Sequence, residues 1–299
     1  MDFVRNIHNS FGAKGDQFLS DLPALIDEAA GRWDLTVGRP FALSYNYVAA
    51  AKRADGTEVV LKIGVPDPEL ISEIEALRVY AGQGAVRLID ADIGKGLLLE
   101  ERVVPGSMLA ELGDDEQATE IAATLMRSLW RPVPEQNRFI RLRDWFDGLR
   151  TMRRTFGGGS GPFPKKMVET VEGLLVEFFA EAEPPVVLHG DFHHYNVLRA
   201  GTGWQVIDPK GVVGPRAYEV GPLLINPFPQ FLRGTDAKQR TERRIGILSE
   251  QLGFERARIL GWALSHAVLS SWWHSEDDET GAGGEYSLAC AELFMSMRQ

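Results

Sequence analysis

The sequence predicts an α+β protein of two lobes, a small N-terminal lobe built on an antiparallel sheet and a larger, mainly helical C-terminal lobe. Three observations favour this fold class. Strand-like runs joined by short turns occupy the first third of the chain, apolar residues at helical spacing dominate the rest, and two short apolar runs frame a polar loop in residues 186–208. We expect the smaller lobe to comprise residues 1–103 and the larger lobe residues 104–299.

Composition bounds the class of protein. At 299 residues, the chain is long enough to bury a sizeable core. Its 32 basic and 42 acidic residues give a formal charge of -10. This balance argues against a nucleic-acid or anionic-membrane partner and suits a cationic small-molecule substrate.

Cysteine count and hydropathy indicate a soluble cytoplasmic protein. The single cysteine, Cys290, excludes an internal disulfide. Residues 1–20 carry charges where a signal peptide would need an apolar core. The most apolar helical stretch, residues 259–273, is interrupted by polar side chains and is too short to span a bilayer.

The small lobe is predicted to contain an opening helix, a hairpin, a second helix and a second hairpin. Residues 17–33 place apolar side chains at helical spacing, so the opening helix is amphipathic. The first hairpin turns at Asp55-Gly56, a pair that tolerates a positive φ, and two prolines then stop its second strand. The predicted bounds are 41–51 and 57–64 for the first hairpin, 69–81 for the second helix, and 86–92 and 96–103 for the second hairpin.

A lysine stands between apolar neighbours in the second predicted strand. This residue, Lys62, needs a partner or an anion if its side chain is buried. A solvent-facing lysine is an equal alternative when the strand is considered alone.

The large lobe is predicted to consist mainly of amphipathic helices. Beyond Gly106, apolar residues recur at helical spacing in several segments, and each segment has a face that needs a shared core. The predicted helices span residues 116–130, 142–156, 164–183, 236–252, 254–273 and 286–297.

Polar residues of three types recur between two apolar runs in residues 186–210. The first run delivers His189, Asp191 and Asn196 into a loop, and the second run ends on Asp208. Asp191 can accept the proton of a substrate hydroxyl, while Asn196 and Asp208 offer the oxygen ligands that Mg²⁺ prefers when it bridges nucleotide phosphates. The layout indicates phosphoryl transfer.

This stretch resembles the catalytic loop of the aminoglycoside phosphotransferases, relatives of the protein kinases, with His-Gly-Asp at residues 189–191 and Ile-Asp-Pro at residues 207–209. The resemblance implies a bilobal protein-kinase-like fold, ATP as the donor and Asp191 as the catalytic base. It also implies that Asn196 and Asp208 are the Mg²⁺ ligands.

The same resemblance extends to the small lobe. It implies that Lys62 binds the α- and β-phosphates of the nucleotide and pairs with a glutamate on the following helix. Glu73 and Glu75 compete for this role, and the family's pattern of Glu, two residues and Ala-Leu favours Glu73. Residues 98–106 resemble the interlobe hinge, whose backbone reads the adenine edge. The candidate hinge residues are Glu100, Glu101, Arg102 and Val103, and an ordinary edge strand is the alternative.

Two further runs are similar to those of the streptomycin 6-kinases and hydroxyurea phosphotransferases. They are Asp-Pro-Lys-Gly at residues 208–211 and Tyr-Glu-Val-Gly-Pro-Leu-Leu-Ile-Asn at residues 218–226. By this similarity, Lys210 lies beside the metal ligand, where it contacts a phosphate or a neighbouring acid. Glu219 is implied to support the catalytic loop. A loop lysine and a helix-capping glutamate are the alternative.

The sequence departs from the protein-kinase pattern at the phosphate-covering loop. No glycine lies between Gly38 and Gly56, and no Walker A motif is present anywhere. Phosphate binding would therefore rest on Lys62, the metal ions and the backbone of residues 44–46.

We predict transfer of the γ-phosphoryl group of ATP to a hydroxyl of a small acceptor. The resemblance to the streptomycin 6-kinases and hydroxyurea phosphotransferases implies that the acceptor is an aminoglycoside, specifically streptomycin. It also implies a role in antibiotic resistance. Three alternatives stay open: a kinase of another small sugar or amino-alcohol, a non-catalytic nucleotide-binding protein of the same fold, and a zinc hydrolase that uses the cluster of His189, Asp191, His193 and His194.

An acidic run at residues 276–279 follows Trp272 and Trp273. Carboxylates beside aromatic rings can bind an amino- or guanidino-bearing ligand through charge and cation–π contact. A solvated helix end is the alternative.

Overall fold

The computed structural model describes residues 3–180, 183–277 and 282–298. Its N-terminal part consists of an antiparallel sheet with one helix on each face. The elements are α1 (Phe3–Trp33), β1 (Leu35–Pro40), β2 (Tyr47–Arg53), β3 (Glu58–Ile63), α2 (Pro68–Tyr80), β4 (Leu88–Asp92) and β5 (Leu97–Glu101).

The five strands pair in the order β1-β2-β3-β5-β4, and each neighbouring pair is antiparallel. Lys62 stands opposite Leu98, and Val60 stands opposite Glu100. Because side chains alternate between the two faces of a sheet, Lys62 and Glu100 lie on the same face.

Each face of this sheet has its own core. Helix α1 packs with Ile7 and Phe18 against the face that carries Leu61. Helix α2 packs with Ile74 and Leu77 against the opposite face. Lys62 and Glu100 therefore lie on the α2 side, where a helix can supply a partner for a buried lysine.

The opening helix is longer than predicted. It begins at Phe3 rather than at residue 17, and its two halves meet at a kink where Gly12 has φ 53° and ψ -134°. Glycine adopts a positive φ of this kind readily, because it lacks a Cβ. The kink interrupts the helical spacing of the apolar residues, so the sequence pattern predicted only the second half of α1.

The first predicted strand is placed wrongly. Residues 41–46 form a loop, while strands occupy Leu35–Pro40 before it and Tyr47–Arg53 after it. Phe41 and Tyr45 are 47% and 43% exposed. Aromatic residues favour strands through packing rather than through an intrinsic backbone preference, and in this loop they do not pack into the core.

The C-terminal part is mainly helical. Its helices are α3 (Asp115–Leu129), α4 (Leu142–Thr155), α5 (Lys165–Ala180), α6 (Val220–Leu224), α7 (Ala237–Leu252), α8 (Arg256–Asp277) and α9 (Ala282–Met297). Its strands are β6 (Pro105–Met108), β7 (Arg131–Pro132), β8 (Ile140–Arg141), β9 (Val186–Leu188), β10 (Val197–Ala200), β11 (Gly203–Val206) and β12 (Val212–Gly214).

Two small sheets position the polar loop predicted at residues 186–208. One has the order β11-β10-β6, and the other has the order β7-β9-β12-β8. The loop leaves β9 in one sheet and enters β10 in the other. Behind it lies a large core that includes Phe146, Tyr218 and Trp262.

The predicted fold class is confirmed, since an N-terminal antiparallel sheet precedes a mainly helical remainder. Each helix predicted beyond Gly106 has a counterpart, although the predicted end of the third extends to residues 181 and 182, outside the described residues. Strands β7, β8 and β12 and helix α6 were not predicted, because two to five residues are too few to show a period. Within the described ranges, no helix combines the length and apolar character needed to cross a membrane.

Candidate active site

The loop after β9 is held by one buried carboxylate. The backbone N–H groups of His189 and Gly190 donate to the two oxygens of Glu219 at 2.8 and 2.9 Å. Glu219 is fully buried, and burial raises its pKa to about 7 although the two hydrogen bonds act against the rise. Glu219 therefore fixes the backbone on which Asp191 stands.

The ring of His189 also orders this loop. Its Nε2 lies 2.9 Å from the carbonyl oxygen of Ile207, and its Nδ1 accepts the N–H of Asp191 at 3.3 Å. Burial lowers the pKa of His189 to about 4, so the imidazole is neutral. The residue connects the loop to the segment that carries Asp208.

Asp191 is accessible and ionised. Its side chain is 39% exposed, and its Oδ2 lies 3.5 Å from Nε2 of His193. Burial acts to raise the pKa of Asp191, but His193 and then Lys210 oppose this effect, and the pKa lies well below its ordinary value. A carboxylate in this state can accept a hydrogen bond from a hydroxyl group.

The amide of Asn196 points toward Asp191. Its Nδ2 donates to the main-chain oxygen of Asp191 at 3.0 Å and lies 3.4 Å from Oδ2 of the same residue. Because the amino group faces Asp191, the carbonyl oxygen of the Asn196 amide is the atom left for a cation.

Asp208 has an unusual backbone conformation. Its φ is 57°, a value that few residues other than glycine adopt. Its side chain is 47% exposed, and Oδ1 lies 3.0 Å from Nζ of Lys62. Strained backbone of this kind persists where the surrounding structure imposes it, often at functional sites.

Helix α2 contacts the segment beyond Asp208 directly. Ser72 Oγ donates to the carbonyl oxygen of Gly211 at 2.5 Å. Gly211 has φ 64°, and a Cβ on it would lie 2.3 Å from the backbone oxygen of Ser72. Only glycine allows this close approach, so the positions of α2 and of the Asp208 segment are coupled.

Lys62 pairs with Glu73, as predicted. Nζ of Lys62 lies 2.5 Å from Oε1 of Glu73, and the lysine side chain is 3% exposed. Glu75, the rival candidate, instead pairs with Arg138 at 2.6 Å. Burial acts to lower the pKa of Lys62, but Asp208 and Glu73 raise it by more, so the lysine stays charged.

Lys210 contacts a neighbouring acid. Its Nζ lies 3.1 Å from Oε2 of Glu69 at the start of α2, and its backbone N–H donates to the carbonyl oxygen of His189 at 2.7 Å. Burial acts to lower the pKa of Lys210, but Glu69 and Asp191 raise it by more. A second cation therefore stands beside the loop.

The predicted hinge residues lie at the end of β5 and in the connection to β6. Glu100 is 4% exposed, its Oε1 has no hydrogen-bond partner within the described part of the chain, and burial raises its pKa to about 8. Glu101 accepts the N–H of Arg87 at 3.0 Å, and Arg102 lies 3.5 Å from Glu58. Val103, the fourth predicted residue, is half-buried.

The donor atoms suit magnesium better than zinc. Both ring nitrogens of His189 are engaged, and His194 is 2% exposed with neither ring nitrogen hydrogen-bonded in the described structure. Over the described residues, no three His, Cys, Asp or Glu side chains form a group that could hold a metal ion. Asn196 and Asp208 offer hard oxygen donors, and Mg²⁺ uses few protein ligands beside water and phosphate.

The sequence did not identify Ser72 or Trp145 as parts of this region, and it included Gly211 only as the last residue of the run 208–211. Trp145 lies against Gly190, immediately before Asp191. The side chains of the acidic run at residues 276–279, which was a candidate for acceptor binding, lie outside the described residues.

Comparisons with known proteins point to one family. The model of a family described as aminoglycoside/hydroxyurea antibiotic resistance kinase matches residues 32–278. A streptomycin 6-kinase from Streptomyces glaucescens is 31% identical over 271 residues, which cover 90% of this chain and 88% of that protein. A hydroxyurea phosphotransferase from Kitasatospora aureofaciens is 32% identical, and the alignment covers 95% of this chain and 82% of that protein.

A solved structure extends the comparison to the fold. It is a thermostable mutant of aminoglycoside phosphotransferase APH(4)-Ia in a ternary complex with ADP and hygromycin B. The match has a TM-score of 0.63 at 13% identity and covers 90% of this chain and 97% of that one. This likeness confirms the predicted protein-kinase-like fold.

Proposed function

The chain belongs to the aminoglycoside/hydroxyurea antibiotic resistance kinase family, and we propose that it transfers the γ-phosphoryl group of ATP to a hydroxyl group of a streptomycin-like aminoglycoside. One observation carries the proposal. Asp191, an accessible and ionised carboxylate, lies in one cluster with Asn196, Asp208 and the Lys62–Glu73 pair.

Asp191 orients the acceptor hydroxyl and takes its proton as the oxygen attacks the γ-phosphorus. Its partner His193 and the Asn196 amide restrict the carboxylate to one direction. Holding the two reactants in line supplies much of the rate in phosphoryl transfer, because the protein has little covalent chemistry to perform.

Lys62 and Lys210 provide fixed positive charge on the nucleotide side. Lys62 is held by Glu73 and is suited to donate to the α- and β-phosphates, and the backbone of residues 100–103 binds the adenine edge. Asn196 and Asp208 would hold Mg²⁺, which neutralises phosphate charge when bound. Because ATP is the donor, we expect the protein to act in the cytoplasm.

The acceptor assignment rests on the relatives. The streptomycin 6-kinase and the hydroxyurea phosphotransferase are 31% and 32% identical to this chain, so hydroxyurea is the second candidate acceptor. A formal charge of -10 favours the cationic streptomycin.

The test is acceptor-dependent ADP release from Mg²⁺-ATP. The acceptor panel contains streptomycin, other aminoglycosides, hydroxyurea, choline and simple sugars. We expect streptomycin to stimulate release by the wild type and by Asp144→Asn, which alters an exposed carboxylate on α4. Asp191→Asn should release no ADP above background. ATP binding without stimulation by any acceptor would contradict the proposal and favour a non-catalytic protein.

A further inference from the structure

An aromatic side chain touches the backbone of the catalytic loop. A Cβ on Gly190 would lie 3.2 Å from Cη2 of Trp145, at the residue that immediately precedes Asp191. Trp145 stands on α4, whereas the loop follows β9. The edge of its indole ring is therefore within one residue of the proposed base.

A second tryptophan extends this surface. The ring centroids of Trp145 and Trp273 are 5.4 Å apart, and the planes meet at 87°, the edge-to-face arrangement that aromatic pairs prefer. Both residues are half-buried, whereas neighbouring Trp262 and Trp272 are 0% and 4% exposed. The half-buried pair therefore leaves indole surface exposed, and Trp145 reaches the residue before Asp191, while the neighbouring tryptophans belong to the core.

Buried rings hold the pair from behind. Trp145 packs edge-on against Tyr218 at 6.4 Å, and Trp273 packs edge-on against His266 at 6.5 Å. The Tyr218 hydroxyl lies 2.9 Å from Nδ1 of His266 and closes the ring of contacts. Side chains locked in this way form a preorganised surface.

Asp191, the residue after Gly190, has a side chain that is 39% exposed where an acceptor would arrive. Indole faces attract cations, with a gain of about 0.5–2 kcal/mol per contact. They also pack against the C–H face of a saturated ring through the hydrophobic effect.

We propose that Trp145 and Trp273 form the wall of the acceptor subsite, against which the saturated ring of a cationic, hydroxyl-bearing acceptor packs while its hydroxyl reaches Asp191. This inference rests on the proposed function, because it takes Asp191 as the residue that receives the acceptor hydroxyl.

The test compares Trp145→Leu and Trp273→Leu with Trp130→Leu. Trp130 is a matched control, since it is also half-buried but packs against Phe254 at a centroid distance of 5.8 Å. We expect the two wall variants to raise the KM for streptomycin about tenfold, which corresponds to about 1.4 kcal/mol, and to leave the KM for ATP unchanged. Trp145→Phe keeps an aromatic face and should recover most of the affinity.

Calorimetric binding of streptomycin, with a non-hydrolysable ATP analogue present, separates this inference from the proposed function. If streptomycin binds without turnover and binds more weakly to the wall variants, the result would support the wall and refute the kinase assignment. If both wall variants turn over streptomycin with an unchanged KM, the proposed wall would be refuted and the kinase assignment would stand. Absence of both binding and turnover would overturn both.

Discussion

The ammonium of Lys62 lies 2.5 Å from Oε1 of Glu73 and 3.0 Å from Oδ1 of Asp208. One buried cation therefore joins β3, helix α2 and the segment after β11. The Ser72–Gly211 contact ties the same helix to the same segment at a second point. Movement of α2 would change both contacts together, so β3, α2 and the Asp208 segment are held as one unit.

Removal of this cation should destabilise the fold. In Lys62→Met, Glu73 stays buried without its partner, and breaking a buried pair costs about 3–5 kcal/mol. Urea unfolding gives the free energy of unfolding directly. Lys95→Met is the matched control, because Lys95 pairs with Glu28 at the same 2.5 Å but is 48% exposed, and exposed pairs contribute about 0–1 kcal/mol. Equal losses in the two variants would refute a buried pair at Lys62.

Asp208→Asn should weaken ATP binding only when Mg²⁺ is present. Asparagine tolerates the left-handed backbone at this position, so the substitution removes the charge and leaves the geometry. ATP affinity is measured by calorimetry with limiting Mg²⁺ and again with EDTA. Asp191→Asn serves as the control and should keep the Mg²⁺ dependence of the wild type. The same dependence in Asp208→Asn would exclude Asp208 as a ligand.

Glu100 should make stability depend on pH. Its folded pKa is raised to about 8 from an ordinary value of 4.5, because burial outweighs the opposing effect of Lys62. Between these two pKa values the unfolded chain releases a proton that the folded chain keeps, so the contribution of Glu100 to stability falls as pH rises.

Glu100→Gln removes this titration. As pH rises from about 4.5 to about 8, we expect the Tm of the wild type to fall relative to the Tm of the variant. Thermal unfolding across this range measures the shift. A difference that stays constant with pH would contradict the raised pKa.

Arg244 offers a test of the helical part. It is 1% exposed, its Nε lies 3.0 Å from both oxygens of Asp115, and its Nη1 donates to the carbonyl oxygen of Asn226 at 2.6 Å. Arg244→Met should cost about 3–5 kcal/mol in free energy of unfolding. The neighbouring Arg243 makes an exposed pair with Glu116 at 3.2 Å, and Arg243→Met should cost less than about 1 kcal/mol. Similar values for the two would contradict the structure.

Local sequence pattern predicted the elements with a clear period. The predicted second helix of the small lobe, the predicted helices of the large lobe, and the hairpins around Asp55-Gly56 and residues 93–95 each have a structural counterpart. Strand β1 was missed because its alternation in burial covers only residues 35–38, and the Arg39 and Pro40 that follow at this sheet edge are both exposed.

The composition of the site was easier to predict than its assembly. Lys62 stood out because a charge between apolar neighbours needs a partner, and its pairing with Glu73 is present. The Ser72–Gly211 contact joins residues 139 positions apart, and Trp145 reaches Gly190 from another helix. Contacts of this range depend on how the elements pack, and no local period encodes them.

The most direct test of the account is transfer of a radioactive γ-phosphate from ATP to streptomycin. The wild type should yield a labelled phosphate ester of streptomycin that separates from ATP and free phosphate by chromatography. Asp191→Asn should yield no ester while its ATP affinity stays within a few-fold of the wild type. Absence of labelled ester from the wild type, or transfer by Asp191→Asn at a comparable rate, would contradict the central claim.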